Sequence, residues 1–181
     1  SPMAQQTHIL ASDGSTIATL YEENRTVVPL AKIAPVMQDA QIAIEDARFY
    51  EHGGVDARGI VRAFVQTMQG DKQGASTITQ QFVRQTQVYS KLKAGDTAGA
   101  EAAQARGGIP GIVRKLQEAK YAIELEKKLS KEQVLEGYLN LVYYGAGAYG
   151  VEAAAQRYFG VTAAKLSLPQ AAMIARMAQR P

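Results

Sequence analysis

The sequence predicts a mainly α protein. From Pro35 onward, apolar residues recur at three- and four-residue spacing, the period of an amphipathic helix. Two Ser-x-x-Gln start signals, at Ser130 to Gln133 and Ser167 to Gln170, fit capping boxes. Polar–apolar alternation is confined to residues 7–28, around Asp13-Gly14, and reads as a short β-hairpin linker. Residues 1–30 are therefore taken as a linker and residues 31–181 as the functional domain.

Each element follows from local pattern. Val36, Met37, Ala40 and Ile44 share one face of a first helix, with Glu45 near its end. The Gly53-Gly54 pair is expected to break that helix. Ile60, Val61, Phe64, Val65 and Met68 continue at helical spacing up to Gly70. Ser76 or Thr77 is a candidate N-cap for a helix running to about Val88. Residues 91–111 are rich in Ala, Gly and polar side chains and read as an insertion or loop, with a weak helix at 97–106. Residues 112–129 form a long amphipathic helix. A further helix follows Ser130, with Val134, Leu135, Tyr138 and Leu139 inward. Gly145, Gly147 and Gly150 mark a turn region, and a last helix runs from Ser167 to about Ala178.

Composition narrows the function classes. At 181 residues the chain can bury a real core as one domain. A net charge of +3 is too modest for nucleic acid as an obligate partner, and suits an anionic membrane surface or a pyrophosphate-bearing substrate. The absence of cysteine excludes disulfides and cysteine-ligated metal, and two histidines, His8 and His52, do not make a histidine-rich site. No run approaches the roughly 20 apolar residues of a membrane span. Ser1-Pro2-Met3 reads as an expression remnant, and the chain as an excised piece of a longer protein.

Three polar blocks carry the chemistry. The first is Glu45-Asp46-Ala47-Arg48-Phe49-Tyr50-Glu51-His52-Gly53-Gly54, the second Gly74 through Gln81, the third Arg114-Lys115-Leu116-Gln117-Glu118. Two carboxylates, a hydroxyl- and amide-rich loop and several cations suit transfer of a sugar away from a phosphate-bearing leaving group. Taken singly, each residue also has a structural reading. Glu45 alone is a solvated helix-end carboxylate. Glu118 alone is an i, i+3 or i, i+4 partner of Lys115 or Arg114. Ser76 alone is a helix cap, His52 a hydrogen-bonding partner of Asp46 or a carbonyl, and Asn140, Tyr143 and Tyr144 are core or cap residues.

In order, the blocks resemble the family 51 glycosyltransferases, the peptidoglycan polymerase domain of class A penicillin-binding proteins. E-D-x-x-F-x-x-H-x-G is matched by Glu45, Asp46, Phe49, His52 and Gly54, G-x-S-T-x-T-Q-Q by Gly74 through Gln81, and R-K-x-x-E by Arg114, Lys115 and Glu118. Tyr138-Leu139-Asn140 with Tyr143-Tyr144-Gly145, then Tyr158-Phe159-Gly160 with Leu166-Ser167-Leu168, follow as fourth and fifth motifs. The resemblance covers roughly the whole chain. It departs at Ala47, where many relatives carry a basic or polar residue, and in the long stretch 91–111.

The resemblance implies a lysozyme-like helical fold with a globular head and a smaller membrane-facing jaw. It implies an inverting glycosyltransferase that polymerises lipid II into β-1,4-linked glycan and releases polyprenyl pyrophosphate. Glu45 matches the base, with Phe49 and Ile44 placed to desolvate it partly, and Glu118 the second carboxylate. Lys72, Ser76, Thr77, Gln80, Gln81, Arg84, Arg114 and Lys115 fall on the donor and pyrophosphate side, although the spacing around Lys72 is one residue short. Asp46, Phe49, His52, Asn140, Tyr143 and Tyr144 fall on the acceptor side or give structural support. No cofactor and no protein-held metal is expected; a magnesium or manganese ion bridging the pyrophosphate is compatible. The implied partners are lipid II, polyprenyl-pyrophosphate-linked glycan, the membrane surface, a transpeptidase domain in the parent protein, and the inhibitor moenomycin. The implied location is the outer face of the bacterial cytoplasmic membrane. An apolar docking face is sought among Phe64, Val65 and Met68, flanked by Arg58 and Arg62. The competing readings are a lysozyme-like hydrolase or lytic transglycosylase, which has no need of the pyrophosphate cations, and a non-catalytic cell-wall recruitment module.

Overall fold

Helices dominate the chain, as its periodicity requires. The computed structural model describes residues 7–10, 16–20, 24–60, 76–104 and 108–178. The elements are β1 (Thr7–Leu10), β2 (Thr16–Leu20), β3 (Asn24–Arg25), α1 (Pro35–Glu45), α2 (Ile78–Lys93), α3 (Thr97–Ala102), α4 (Gly108–Glu126), α5 (Lys131–Leu141), β4 (Ala148–Tyr149), α6 (Val151–Phe159) and α7 (Leu168–Met177). Short 3-10 turns at Leu30–Lys32 and Ala163–Lys165 complete the order, and residues 57–60 form one further helical turn. The architecture is mainly α and consistent with a lysozyme-like fold.

The chain divides into two compact units, residues 1–41 with 139–181, and residues 42–138. Helices α1 and α5 each run across the division.

In the first unit, β1 pairs antiparallel with β2, with a register shift between Ile9 and Leu10. This is the expected hairpin; its Asp13-Gly14 turn lies outside the described residues. A pairing not visible in the sequence is β3 with β4, parallel, matching Asn24 to Ala148 and Arg25 to Tyr149. Two-residue strands leave no periodicity to read. Arg25 is almost fully buried, donates to the Asn140 carbonyl at 2.6 Å, and its guanidinium lies 5.4 Å from the Tyr149 ring centre. Gly145, Gly147 and Gly150 all take positive φ, as their clustering suggests, and at Gly150 a Cβ would meet the Asn140 carbonyl oxygen at 2.7 Å. Ser167 and Gln170 form the capping box that opens α7.

In the second unit, α4 packs along α2, and α3 along α2. Helix α2 ends at Lys93, five residues beyond the expected Val88, and α4 begins at Gly108 rather than 112. The stretch 91–111 is therefore not a plain loop: it finishes α2, contains α3, and starts α4. Asp96 caps α3 by accepting from Gly99 N at 2.8 Å, which explains how a six-residue helix rich in Ala and Gly holds its start. Ser130 and Gln133 cap α5 as predicted, and Val134, Leu135, Tyr138 and Leu139 are all buried.

Helix α1 starts with Pro at its first position, where the missing N–H costs nothing. Its most buried side chains are Met37 and Gln41; Val36, Ala40 and Ile44 are half-buried. The helix stops at Glu45, eight residues before Gly53. The Asp46 N–H still binds the Ile42 carbonyl at 2.8 Å, and the chain continues in turns to Gly53.

Candidate active site

Glu45 is the last residue of α1 and half-buried. Its Oε2 accepts a hydrogen bond from Gln81 Nε2 at 2.7 Å. Its Oε1 is shielded from solvent and has no hydrogen-bond donor among the described residues. Gln81 sits on the first turn of α2, where its backbone N–H binds the Thr77 carbonyl at 3.0 Å. The other end of its carboxamide, Oε1, accepts from the Tyr138 hydroxyl at 3.2 Å. A residue of the second motif thus holds the carboxylate of the first, across 36 positions of sequence.

Around this contact the first two motifs are bound into one piece. Asp46 Oδ1 accepts from His52 Nε2 at 2.7 Å, and its Oδ2 accepts from the Ile78 N–H at 3.1 Å. The second bond satisfies one of the open donors at the start of α2, where a carboxylate is also favoured by the helix dipole. Thr77 and Gln80 form a complete capping box: Thr77 Oγ1 accepts from Gln80 N at 3.1 Å, and Gln80 Oε1 from Thr77 N at 3.0 Å. The Thr77 hydroxyl also donates to the Gly54 carbonyl at 2.7 Å. Thr77 is therefore the cap, and Ser76 stands one residue outside it, half-buried.

Gly54 is fixed for two reasons. Its φ is +56°, a conformation that disfavours any side chain, and a Cβ there would lie 2.7 Å from Ile123 N on α4. Its N–H binds Glu126. Glu126 also accepts from the Thr79 hydroxyl and from Lys131 Nζ, the latter at 2.9 Å. Burial pushes the Glu126 carboxyl up, but the Thr79, Lys131 and Gly54 donors outweigh it and hold the group below its ordinary value. Lys131 Nζ also lies 4.4 Å from the centre of the Phe49 ring. Phe49 is completely buried, with its ring edge-on to Tyr50 at 5.1 Å. It is a core residue of this cluster.

Glu118 and Arg114 form a buried i, i+4 ion pair on α4, with side chains 2% and 9% exposed. The structural alternative for Glu118 is thus realised, and Arg114 is paired within the protein. Lys115 next to it is exposed. Arg84 lies half-buried on α2, one turn beyond Gln80 and Gln81. Lys72, like most of the loop before the second motif, lies outside the described residues.

Asn140, Tyr143 and Tyr144 belong to the first unit. The Asn140 carboxamide makes two bonds with Val28, accepting from its N–H and donating to its carbonyl, both at 2.9 Å. The Tyr143 hydroxyl accepts from Gly147 N at 3.2 Å, with its ring 4.7 Å from that of Tyr149. Tyr144, fully buried, donates to Gln41 Oε1 at 3.2 Å. All three hold this unit's loops together.

Sequence reasoning missed four contributors: Arg48, Asp56, Glu126 and Lys131. Arg48 and Asp56 form an ion pair beside the Asp46–His52 bond. Burial raises the Asp56 carboxyl, while the Gly59 N–H, Arg48 and His52 together bring it below its ordinary value. A charged pair eight residues apart in a non-helical turn has no spacing signature. Asp46, His52 and Asp56 each bring one ligand-type atom within 4.8 Å of the others. The set does not fit a divalent ion: His52 already donates to Asp46, and the Arg48 guanidinium occupies Asp56.

Comparison with known proteins shows the family of the chain. The family model described as transglycosylase matches residues 13–181. The chain is 39% identical over 183 residues to penicillin-binding protein 1A of Haemophilus influenzae, covering 100% of this chain and 19% of that protein. It is 41% identical to penicillin-binding protein 2D of Bacillus subtilis, covering 98% and 23%. It is 42% identical to penicillin-binding protein 1A of Escherichia coli, covering 96% and 18%. The mainly helical fold is consistent with that of a glycosyl-transferring domain, and the chain belongs to the transglycosylase family, the family 51 glycosyltransferases. It spans about a fifth of the length of these relatives.

Proposed function

We propose that this chain is a peptidoglycan glycosyltransferase that polymerises lipid II with inversion at the sugar carbon. The observation that carries this reading is Glu45: one carboxylate oxygen is held by Gln81, and the other, out of bulk water, has lone pairs to offer an incoming hydroxyl. The acceptor's 4-hydroxyl gives its proton to Glu45 Oε1 as its oxygen attacks the donor's anomeric carbon. A β-1,4 bond forms as the bond to the pyrophosphate oxygen breaks, and polyprenyl pyrophosphate leaves with that electron pair. Lys115, Arg84 and Lys72 stabilise the leaving anion through charge-assisted hydrogen bonds. Ser76 adds a hydroxyl at the same end, and Glu118 acts by holding Arg114. The reaction needs no resident cofactor; a magnesium or manganese ion bound to the pyrophosphate would be compatible with it.

Membrane contact falls on α4. Ile109, Ile112, Val113, Leu116 and Ile123 are all exposed and share one stripe of that helix, with Lys120 within it and Lys115 beside it. Such a face fits a helix lying on an anionic bilayer. The earlier candidates Phe64, Val65, Met68 and Arg62 lie outside the described residues, and Arg58 is exposed. No helix among the described residues is long and apolar enough to cross a membrane. A lipid-linked substrate places the reaction at the outer face of the cytoplasmic membrane, in a parent protein with a transpeptidase domain.

Incubation with labelled lipid II in detergent, resolved by gel, tests the reading. Glycan ladders blocked by moenomycin are expected. Cleavage of finished glycan without polymerisation would instead favour the lytic alternative.

A further inference from the structure

We propose that Tyr138 is a positioning residue for this reaction: its hydroxyl holds the Gln81 carboxamide with the NH2 group turned toward Glu45. The inference rests on Glu45 as the base. The two ends of a carboxamide have nearly the same shape, so Gln81 could sit either way round. Turned over, it would set its carbonyl oxygen against the Glu45 oxygen now 2.7 Å from its nitrogen, with two acceptors facing each other. The acceptor-only Glu45 carboxylate sets which way round Gln81 sits, and the Tyr138 hydroxyl, donating to Gln81 Oε1 at 3.2 Å, fixes the far end of the carboxamide in that orientation.

The mounting is stiff. Tyr138 is 1% exposed, on a turn of α5 whose neighbours Val134, Leu135 and Leu139 are completely buried. A tyrosine has two side-chain torsions, and a packed ring leaves its hydroxyl little room to move. Gln81 is anchored at its other end by the first turn of α2, whose Thr77 cap is itself bonded to Gly54.

The chemical consequence is a choice between two oxygens. With Gln81 Nε2 donating to Oε2, that oxygen is engaged, and the proton from the acceptor hydroxyl goes to Oε1, which has no donor among the described residues. Tyr138 reaches the base through its bond to Gln81. It acts through Gln81, so its effect should vanish when Gln81 can no longer transmit it.

Four proteins test this: wild type, Tyr138→Phe, Gln81→Met and the double variant, each assayed for kcat and KM with lipid II and for melting temperature. Tyr138→Phe keeps the ring and removes only the hydroxyl. We expect it to lower kcat about tenfold, the scale of a modest misplacement of a catalytic group, with KM within about twofold and melting unchanged. In the Gln81→Met background the same change should cost less than about twofold. A kcat for Tyr138→Phe within twofold of wild type, or an equal loss in both backgrounds, would overturn the proposal. The Gln81 side-chain amide protons give a readout independent of turnover. Their exchange in nitrogen-edited NMR should be slow in wild type and clearly faster in Tyr138→Phe. If wild type does not polymerise lipid II, the functional reading fails, and this amide signal alone decides whether Tyr138 holds Gln81. Unchanged exchange would overturn the relay.

Discussion

Thr77 donates its hydroxyl to the carbonyl of Gly54 at 2.7 Å, fastening the loop of the first motif to the start of the helix that carries the second. One residue is the cap of α2, and the other sits at φ +56° against the backbone of α4. The position of Glu45 opposite Gln81 depends on this joint, because it sets where α2 begins.

Gly54→Ala should therefore destabilise strongly. The substitution adds the cost of a left-handed alanine, about 1–2 kcal/mol, to a Cβ placed 2.7 Å from a backbone nitrogen that cannot swing aside. Overpacking of that kind costs about 1–3 kcal/mol. Urea unfolding should show a total loss of about 2–5 kcal/mol. Gly53→Ala is the control: nothing lies within 4 Å of its Cβ position, and its stability should change little.

Acid should loosen the same joint through Glu126. Its carboxyl is held below the ordinary 4.5 in the folded protein, so its stabilising contribution is complete above that value. The contribution is lost as pH falls below 4.5 and through the lower folded value. Stability measured by denaturant at stepped pH should fall over this range in wild type. The fall should be shallower in Glu126→Gln, which starts from a lower plateau at neutral pH. Parallel curves would remove Glu126 from the acid response.

The Arg114–Glu118 pair separates structure from chemistry. Removing one member leaves a buried charge without its partner, a loss of about 3–5 kcal/mol, so Glu118→Leu should unfold at much lower denaturant. Arg114→Met with Glu118→Leu removes both charges and should recover most of that stability. If the pair also serves the leaving group, the recovered protein will still polymerise poorly.

Lys115 offers the opposite case, an exposed cation with nothing structural to lose. Lys115→Ala should leave melting unchanged and weaken moenomycin binding by about 1.5–3 kcal/mol, the range for hydrogen bonds to charged groups. Unaltered affinity by titration would place the pyrophosphate elsewhere.

Much of this was legible before the structure. Helix starts at Ser130 and Ser167 were readable because a capping box is a four-residue signal. The turn glycines were readable because positive φ selects Gly, yet Ala146 also takes φ 49° among them, and nothing in its identity announces that. The motifs delivered Glu45, Asp46, His52, Thr77 and Gln81, but not their wiring: whether Asp46 caps α2 or joins the chemistry depends on contacts 32 residues away. Glu126 and Lys131 fall in none of the motifs; only folding brings them to Gly54 and Thr79. Glu45 near the end of α1 was legible from the helical spacing, and the helix ends at that residue, eight positions before Gly53.

The most direct measurement is lipid II polymerisation by wild type beside Glu45→Gln, with both proteins shown to be folded by circular dichroism and to bind moenomycin. Glutamine keeps the shape of Glu45 and removes the base. Glycan ladders from wild type alone are expected, with moenomycin affinity retained in the variant. Ladders of similar yield from both proteins would contradict Glu45 as the group that takes the proton.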